Sequence, residues 1–313
     1  MNSIEQQIWG FTPEGEAVVR YTMTNAGGAS VVLSNIGAGI IAVNVPDRNG
    51  KLANVALGYD RFESYFGDGP YMGKTPGRFA NRIGEGRFTL DGKEYRLAQN
   101  SGGQHLHGGL KGFANKVWTG RVETDRVVFS LVSPDGDDKY PGEVTVEVCY
   151  DWNDDCELEI TYYAKTDAPT IINLTNHSYF NLKGESAGRA MEQELQLNAS
   201  KFLWYDKNCI PTGELVEVKG TPMDFTTAKA LARDIDADYE PLNIGHGYDQ
   251  SWAIDGYEKG KLSEAGVLSD PETGRRMRIF TTHPSAHVYT GNFLQGCPTS
   301  ISGHEYANRD GVA

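Results

Sequence analysis

The strongest constraint on the fold of this 313-residue chain is a series of short runs in which apolar and polar side chains alternate. Residues 143–148, Glu-Val-Thr-Val-Glu-Val, show the pattern most clearly. Successive side chains of a strand point to opposite faces, so a period of two predicts strands with one buried and one solvent-exposed face. The strand-like runs are 18–24, 31–35, 40–45, 87–90, 127–132, 144–150, 158–164 and 277–281.

Turn-forming residues separate these runs. Examples are Asp47-Arg48-Asn49-Gly50, Asp91-Gly92, 134–136 and 271–274, where Gly, Pro, Asn and Asp favour tight turns. Helical periodicity is confined to small pieces, chiefly residues 228–235, and strands do not alternate with helices as in a doubly wound nucleotide fold. Without linkers or repeats, the pattern predicts an all-β protein, a large sandwich or barrel with few short helices, in one domain over 1–313.

The net charge and the cysteine content limit the classes of binding partner and the cellular compartment that we expect. The formal net charge is −13, which disfavours nucleic acid and anionic membranes as partners. The four cysteines show no CxxC spacing, and the N-terminus lacks the basic start and apolar run of a secretory signal. We therefore expect reduced thiols and a cytoplasmic protein.

A second polar pattern occupies residues 172–182. If these residues form a strand, alternation places Asn173, Thr175, His177, Tyr179 and Asn181 on one face. Such a row of uncharged donors and acceptors suits a polyol. A lone histidine on a strand more often has a structural role. With these polar neighbours, the sequence favours a structural role and ligand contact equally for His177.

The histidines also raise the question of a metal site. His105 and His107 could chelate zinc with His177 as a third ligand, but no HExxH motif, cysteine pair or nearby carboxylate completes the set. His283 and His287 flank Pro284, which breaks helical i, i+4 geometry. We therefore expect no metal site.

Six blocks of the sequence, taken in order and spacing, resemble the aldose 1-epimerase (galactose mutarotase) family. The resemblance runs from about Asn35 to the last residue. The blocks are GRFANRIGEGRFTLDGKEYRL (77–97), LHGG with the following GF (106–113), NLTNHSYFNL (173–182), IPTGELVEVKGTPMDF (210–225), GYDQSW (247–252) and HVYTGNFL (287–294).

The resemblance implies a β-sandwich of the mutarotase type that holds a free hexose in an open cleft and interconverts its α and β anomers without a cofactor. It implies that His177 is the general acid and His107 the second active-site imidazole. His287 stands where the family often has Gln. The implied sugar contacts are Asn81, Arg82, His107, Ser178, Tyr179, Asp249 and His287.

The resemblance also places a general-base glutamate in a Leu-Glu-x-Gln segment that follows a stretch like residues 306–313. We therefore expect the reading frame to continue past Ala313, and Glu305 does not occupy the family position. Two alternatives stay open: a non-catalytic sugar-binding module on the same fold, and a hexose-6-phosphate 1-epimerase. The physiological sugar, and the choice between monomer and homodimer, are also open.

Overall fold

The computed structural model describes residues 3–313, and antiparallel strands dominate it. In chain order the strands of this part are β1 (Ser3–Phe11), β2 (Ala17–Thr24), β3 (Ser30–Ser34), β4 (Gly39–Pro46), β5 (Leu52–Asn54), β6 (Arg82–Ile83), β7 (Arg87–Leu90), β8 (Lys93–Arg96), β9 (His105–Leu106), β10 (Thr119–Glu123), β11 (Arg126–Ser133), β12 (Val144–Trp152), β13 (Leu158–Thr166), β14 (Glu194–Leu197), β15 (Lys201–Tyr205), β16 (Pro211–Glu217), β17 (Lys229–Ala230), β18 (Asp249–Ala253), β19 (Ser263–Ser269), β20 (Arg276–Thr281) and β21 (Ser285–Tyr289). The helical elements are α1 (Glu240–Gly245) and the 3₁₀ turns Phe62–Tyr65, Gly84–Gly86, Phe113–Asn115, Asp137–Lys139 and Leu231–Arg233.

The all-β prediction is confirmed, and each of the eight predicted runs overlaps a strand. The Asp91-Gly92 turn joins β7 to β8, where Leu90 pairs with Lys93. Both turn residues have positive φ, 52° and 78°. This is the backbone that a two-residue hairpin requires and that Asp-Gly adopts at little cost.

The helix predicted at residues 228–235 is wrong. This stretch forms β17 and then a single 3₁₀ turn. The N–H groups of Leu231 and Ala232 donate to the carbonyls of Gln193 and Met191, so other chain segments take the donors that a helix would use internally. No helix within residues 3–313 has both the length and the apolar composition that crossing a bilayer requires.

The described residues form two compact units. The first contains 3–45 and Gly58–Ser178, and the second contains Pro46–Leu57 and Tyr179–Ala313. The single domain expected over 1–313 stays a prediction.

In the first unit, β1 to β4 follow one another in one antiparallel sheet and β10 to β13 in another. Two small two-stranded sheets, β6 with β9 and the hairpin of β7 with β8, lie outside these sheets. The core contains Tyr21 and Phe129, whose rings meet edge to face with centroids 5.3 Å apart. The indole N–H of Trp152 donates to the Ala29 carbonyl at 3.2 Å. Side chains from both sheets therefore meet in one core.

In the second unit, the sheets have the orders β17-β14-β19-β20 and β16-β15-β18-β21. Burial alternates strictly along β18: Gln250 and Trp252 are buried, while Asp249, Ser251 and Ala253 are partly exposed. Trp252 packs against Phe225 in the core, with ring centroids 5.8 Å apart. The other face of β18 thus presents its polar side chains outward.

Candidate functional site

Both predicted imidazoles lie in one cluster of the first unit. The ring centroids of His107 and His177 are 5.2 Å apart, and the ring planes meet at 81°. Tyr71 adjoins both, with its centroid 4.6 Å from that of His107 and 6.3 Å from that of His177. With Asn81 and Arg82, described next, these residues form what we call the imidazole cluster.

The antiparallel pair of β6 and β9 positions one side of the cluster. Arg82 and Ile83 pair with Leu106 and His105, which places Asn81 and His107 at the end of the ladder. The Asn81 N–H donates to His107 Nδ1 at 3.1 Å, and the His107 N–H donates to the Asn81 carbonyl, also at 3.1 Å. Because Nδ1 accepts a hydrogen bond, the neutral ring carries its hydrogen on Nε2 and can donate it to a ligand. Arg82 Nη1 donates to Asn81 Oδ1 at 3.3 Å.

Three residues of the cluster have left-handed backbone. The φ angles are 57° at Tyr71, 66° at Asn81 and 51° at His107. Such angles are uncommon outside glycine and cost free energy, and they concentrate at functional sites. Gly108 follows His107 with φ 86°, and a Cβ on it would lie 1.7 Å from the Gly77 carbonyl oxygen. Only glycine fits there.

The other side of the cluster is a loop that receives His177. The His177 N–H donates to the Lys74 carbonyl at 2.8 Å, and the Gly73 N–H donates to the His177 carbonyl at 3.0 Å. Asn176 Nδ2 also donates to the Gly73 carbonyl at 2.8 Å. Below this loop, the Lys74 amine forms an ion pair with Asp68, and both side chains are only 1% exposed. The backbone of His177 is therefore held by hydrogen bonds to residues 73–74, next to this buried ion pair.

Tyr71 is a member of the imidazole cluster that the sequence reasoning missed, since nothing in its local pattern marks it. Burial raises the pKa of its phenol, and the carboxylates of Asp68 and Asp138 raise it further. The hydroxyl therefore keeps its proton near neutral pH.

The predicted row of five polar side chains along residues 173–181 is wrong. This segment is not a continuous strand and makes only isolated bridges, at Asn173 and Phe180. Asn176 Oδ1 accepts the Ser178 N–H at 2.9 Å, a local turn that interrupts the extended alternation. Asn181 is 1% exposed and donates to the Gly188 and Asp310 carbonyls, so it serves the structure of the second unit.

Ser178 and Tyr179, predicted to contact the sugar, are buried. Ser178 is 5% exposed, and its Oγ has no hydrogen-bond partner among the residues that the structure describes. Tyr179 is 1% exposed, and its ring lies edge to face with Tyr289 at a centroid distance of 5.9 Å. Any contact they make with a ligand is through a small exposed fraction.

His105 does not join His107 as a metal ligand. Its Nδ1 lies 2.7 Å from the Ala98 carbonyl and its Nε2 lies 2.6 Å from Tyr140 Oη, so both ring nitrogens are occupied. Burial lowers the pKa of His105, which keeps the ring neutral. Across residues 3–313, no group of three or more His, Cys, Asp and Glu side chains is placed to hold a metal ion.

Asp249 and His287 meet on the polar face of the second unit's sheet. His287 Nε2 lies 2.8 Å from Asp249 Oδ1, and its Nδ1 lies 2.9 Å from Ser251 Oγ. Tyr205 Oη is 2.9 Å from the same Oγ. Sequence reasoning missed Ser251 and Tyr205, although Ser251 follows Asp249 by two residues and so shares its face. This network orients the Asp249 carboxylate.

Comparison with known proteins is consistent with these features. The family model described as aldose 1-epimerase matches residues 19–313. The chain is 38% identical over 311 residues to the galactose mutarotase of Bos taurus, covering 99% of this chain and 89% of that protein. It is 36% identical over 302 residues to the aldose 1-epimerase of Escherichia coli (strain K12), covering 96% of this chain and 86% of that protein.

A solved structure adds to this result. The galactose 1-epimerase from Lactobacillus acidophilus NCFM matches with a TM-score of 0.86 and 27% identity, over 100% of this chain and 89% of that chain. The predicted β-sandwich fold class and the family resemblance are thereby confirmed. The chain belongs to the aldose 1-epimerase family.

Proposed function

We propose that this protein interconverts the α and β anomers of free aldoses, galactose and glucose among them, by opening and reclosing the sugar ring. The family match and the names of the relatives support this activity. The structural observation that carries the proposal is the pair of imidazoles, His107 and His177, 5.2 Å apart in the imidazole cluster.

The reaction needs two proton transfers. The C1 hydroxyl loses a proton while the ring oxygen gains one, which opens the hemiacetal to an aldehyde. Rotation about the C1–C2 bond and reclosure with the transfers reversed give the other anomer. An acid and a base that exchange roles between the two steps suffice, and general acid–base catalysis contributes about 10²- to 10⁴-fold.

His177 is the general acid in this proposal. A histidine side chain ordinarily titrates near pH 6.5, so it can hold or release the proton that the ring oxygen needs. The two backbone hydrogen bonds of the loop fix its position. His107, with its hydrogen on Nε2, donates a hydrogen bond to the sugar and helps to hold the ring oxygen near the acid.

We assign hydroxyl recognition to the polar side chains that the family resemblance implies. Asn81 and Arg82 supply planar donors from the first unit. Asp249 accepts hydroxyl hydrogens, and His287 holds its carboxylate in place at 2.8 Å. Ser178 and Tyr179 complete the proposed set with their small exposed fractions.

We further propose that a glutamate after Ala313 supplies the base. Ala313 and Tyr289 exchange two backbone hydrogen bonds of 2.8 Å, so they form an antiparallel pair at the end of β21. If the chain continued as a strand in this register, the second residue after Ala313 would lie opposite His287. Sequencing the coding DNA past the Ala313 codon tests the idea, and a stop codon at that point would contradict it.

Polarimetry on freshly dissolved α-D-glucose and α-D-galactose tests the activity itself. In the catalytically complete protein, we expect His177→Asn to lower kcat at least about a hundredfold, the lower end of acid–base catalysis, with KM changed less. The matched control is His283→Asn, the same substitution at an exposed residue beyond β20. Equal kcat in the two variants would refute the acid assignment.

A binding assay run beside polarimetry separates the enzyme from a sugar-binding module. Saturable galactose binding, with optical rotation drifting at the rate of buffer alone, would identify a module. The same polarimetric assay with α-D-glucose 6-phosphate tests the third reading, since faster turnover of the phosphate ester than of glucose would contradict a preference for free aldoses.

A further inference from the structure

One cleft of the second unit has no role in the proposed reaction. Its volume is about 550 Å³, within the range of small-molecule sites. Its walls come from α1 and the turn after it, from the turn after β21, and from residues 308–309.

An aromatic ring forms one wall of this cleft. The Phe293 side chain is 61% exposed, and its backbone N–H donates to Tyr289 Oη at 3.2 Å, which fixes the turn that carries it. The imidazole of His246 stands against it, with ring centroids 5.3 Å apart and planes at 73°. A single exposed Phe is common on protein surfaces. Here, however, it has polar groups around it.

Three polar side chains of the same cleft have unused hydrogen-bonding capacity. Asn308 Oδ1 accepts the Gln295 N–H at 2.9 Å, and Asn243 Nδ2 donates to Asp238 at 2.9 Å. Within residues 3–313, the structure gives no protein partner to Asn308 Nδ2, to Asn243 Oδ1 or to the ring nitrogens of His246. The cleft thus combines planar donors and acceptors with an aromatic face, the combination that suits the hydroxyls and C–H face of a sugar ring.

The charges in the cleft are paired. Arg309 Nη1 donates to Asp236 at 2.7 Å, and Nη2 donates to the His246 carbonyl at 3.2 Å. A matched cation and anion favour a neutral ligand over an ionic one.

Backbone strain points to the same place. His246 has φ 55° and Arg309 has φ 73°, and both line the cleft. His246 occupies the position after α1 where helices prefer glycine. The left-handed backbone at His246 costs stability, and it is the basis for asking whether the ring binds a ligand.

We propose that this cleft binds a neutral pyranose ring. The ring stacks on Phe293, donates a hydroxyl hydrogen bond to Asn243 Oδ1, receives one from Asn308 Nδ2 and exchanges one with the imidazole of His246. The ring can belong to a free monosaccharide or to an oligosaccharide. None of these residues belongs to the imidazole cluster, and the test of the proposal does not depend on catalysis.

The first experiment follows the histidine ring signals by NMR during titration with methyl β-D-glucopyranoside, which has no free anomeric hydroxyl, and with maltose. The His246 signal, assigned from its loss in His246→Gly, should shift saturably. Phe293→Ala should raise Kd at least about tenfold, as loss of an aromatic anchor does. The control is Phe280→Ala on β20, also an exposed aromatic (44%) of the second unit, and it should leave Kd unchanged.

Both probes producing the shift equally would identify a monosaccharide site, and clearly tighter maltose binding would identify an oligosaccharide site. Either result supports the proposal. No saturable shift of His246 with either probe, or equal Kd in the Phe293→Ala and Phe280→Ala proteins, would overturn it.

A second variant separates binding from folding. His246→Gly removes the ring and relieves the left-handed strain, so its melting temperature should rise while its affinity for the probe, followed by calorimetry, falls. A purely structural histidine would not give opposite changes. Unchanged affinity in this folded variant would contradict the proposal.

Discussion

The buried ion pair of Lys74 and Asp68 supports the loop on which His177 rests, and removing its cation should destabilise the first unit strongly. Lys74→Met keeps most of the side-chain volume and deletes the charge. The Asp68 carboxylate, 1% exposed, would keep the Met72 N–H at 2.8 Å and the Tyr59 hydroxyl at 3.3 Å but lose its counterion. Breaking a buried pair in this way costs about 3–5 kcal/mol.

That cost is a large share of the roughly 5–15 kcal/mol that stabilises a typical protein. For a unit of this size, each 1 kcal/mol lowers Tm by about 2–4 °C, so the expected loss is about 6–20 °C. Differential scanning calorimetry measures it directly. The surface control is Arg61→Met, because Arg61 and Glu63 are 69% and 51% exposed, and an exposed pair contributes little.

The double variant Asp68→Asn with Lys74→Met tests the cause. Asparagine still accepts the Met72 N–H but carries no charge, so at least half of the lost Tm should return. A Tm loss under about 2 °C for Lys74→Met would refute the argument. A double variant no more stable than the single one would show that the loss comes from packing instead of the unpaired charge.

Three further predictions follow from the site. Gly108→Ala should lower both Tm and kcat, because Gly108 has φ 86° and the new Cβ would lie 1.7 Å from the Gly77 carbonyl oxygen. The control Gly136→Ala should change Tm less and leave kcat intact, because Gly136 has a similar φ of 83° but open space around it. His287→Gln should keep kcat/KM within several-fold, because an amide can donate to Asp249 and accept from Ser251, whereas His287→Ala should lose more; equal losses in steady-state assays would contradict this role. Burial lowers the pKa of His105 in the folded protein. Its contribution to stability is therefore complete above the unfolded pKa of about 6.5 and is lost as the pH falls towards the folded pKa. Urea unfolding should show the free energy of unfolding decreasing from pH 7.5 to 5, and His105→Gln should reduce this dependence.

Much of the fold could be read from local patterns. Alternation along residues 144–150 predicted β12, and the run 87–90 with the Asp-Gly signal at 91–92 predicted β7 and the turn after it, because strands and tight turns depend on the residues' own geometry. The stretch 228–235 misled for the opposite reason. Its residues have helical periodicity, but carbonyls of a distant segment accept hydrogen bonds from its N–H groups. Local propensity cannot predict such tertiary hydrogen bonds.

The site divides in the same way. The sequence by itself identified the family through its ordered blocks of residues, and the same resemblance named His107, His177, Asp249 and His287 as candidate site residues. Only the tertiary structure decided which neighbours complete them. Tyr71 joins His107 and His177, whereas His105, two residues from His107, is bonded through both nitrogens and withdrawn from the site. A polar side chain can face a ligand or form hydrogen bonds with other buried groups. Which of the two it does depends on partners far away in the chain, and only folding brings those partners together.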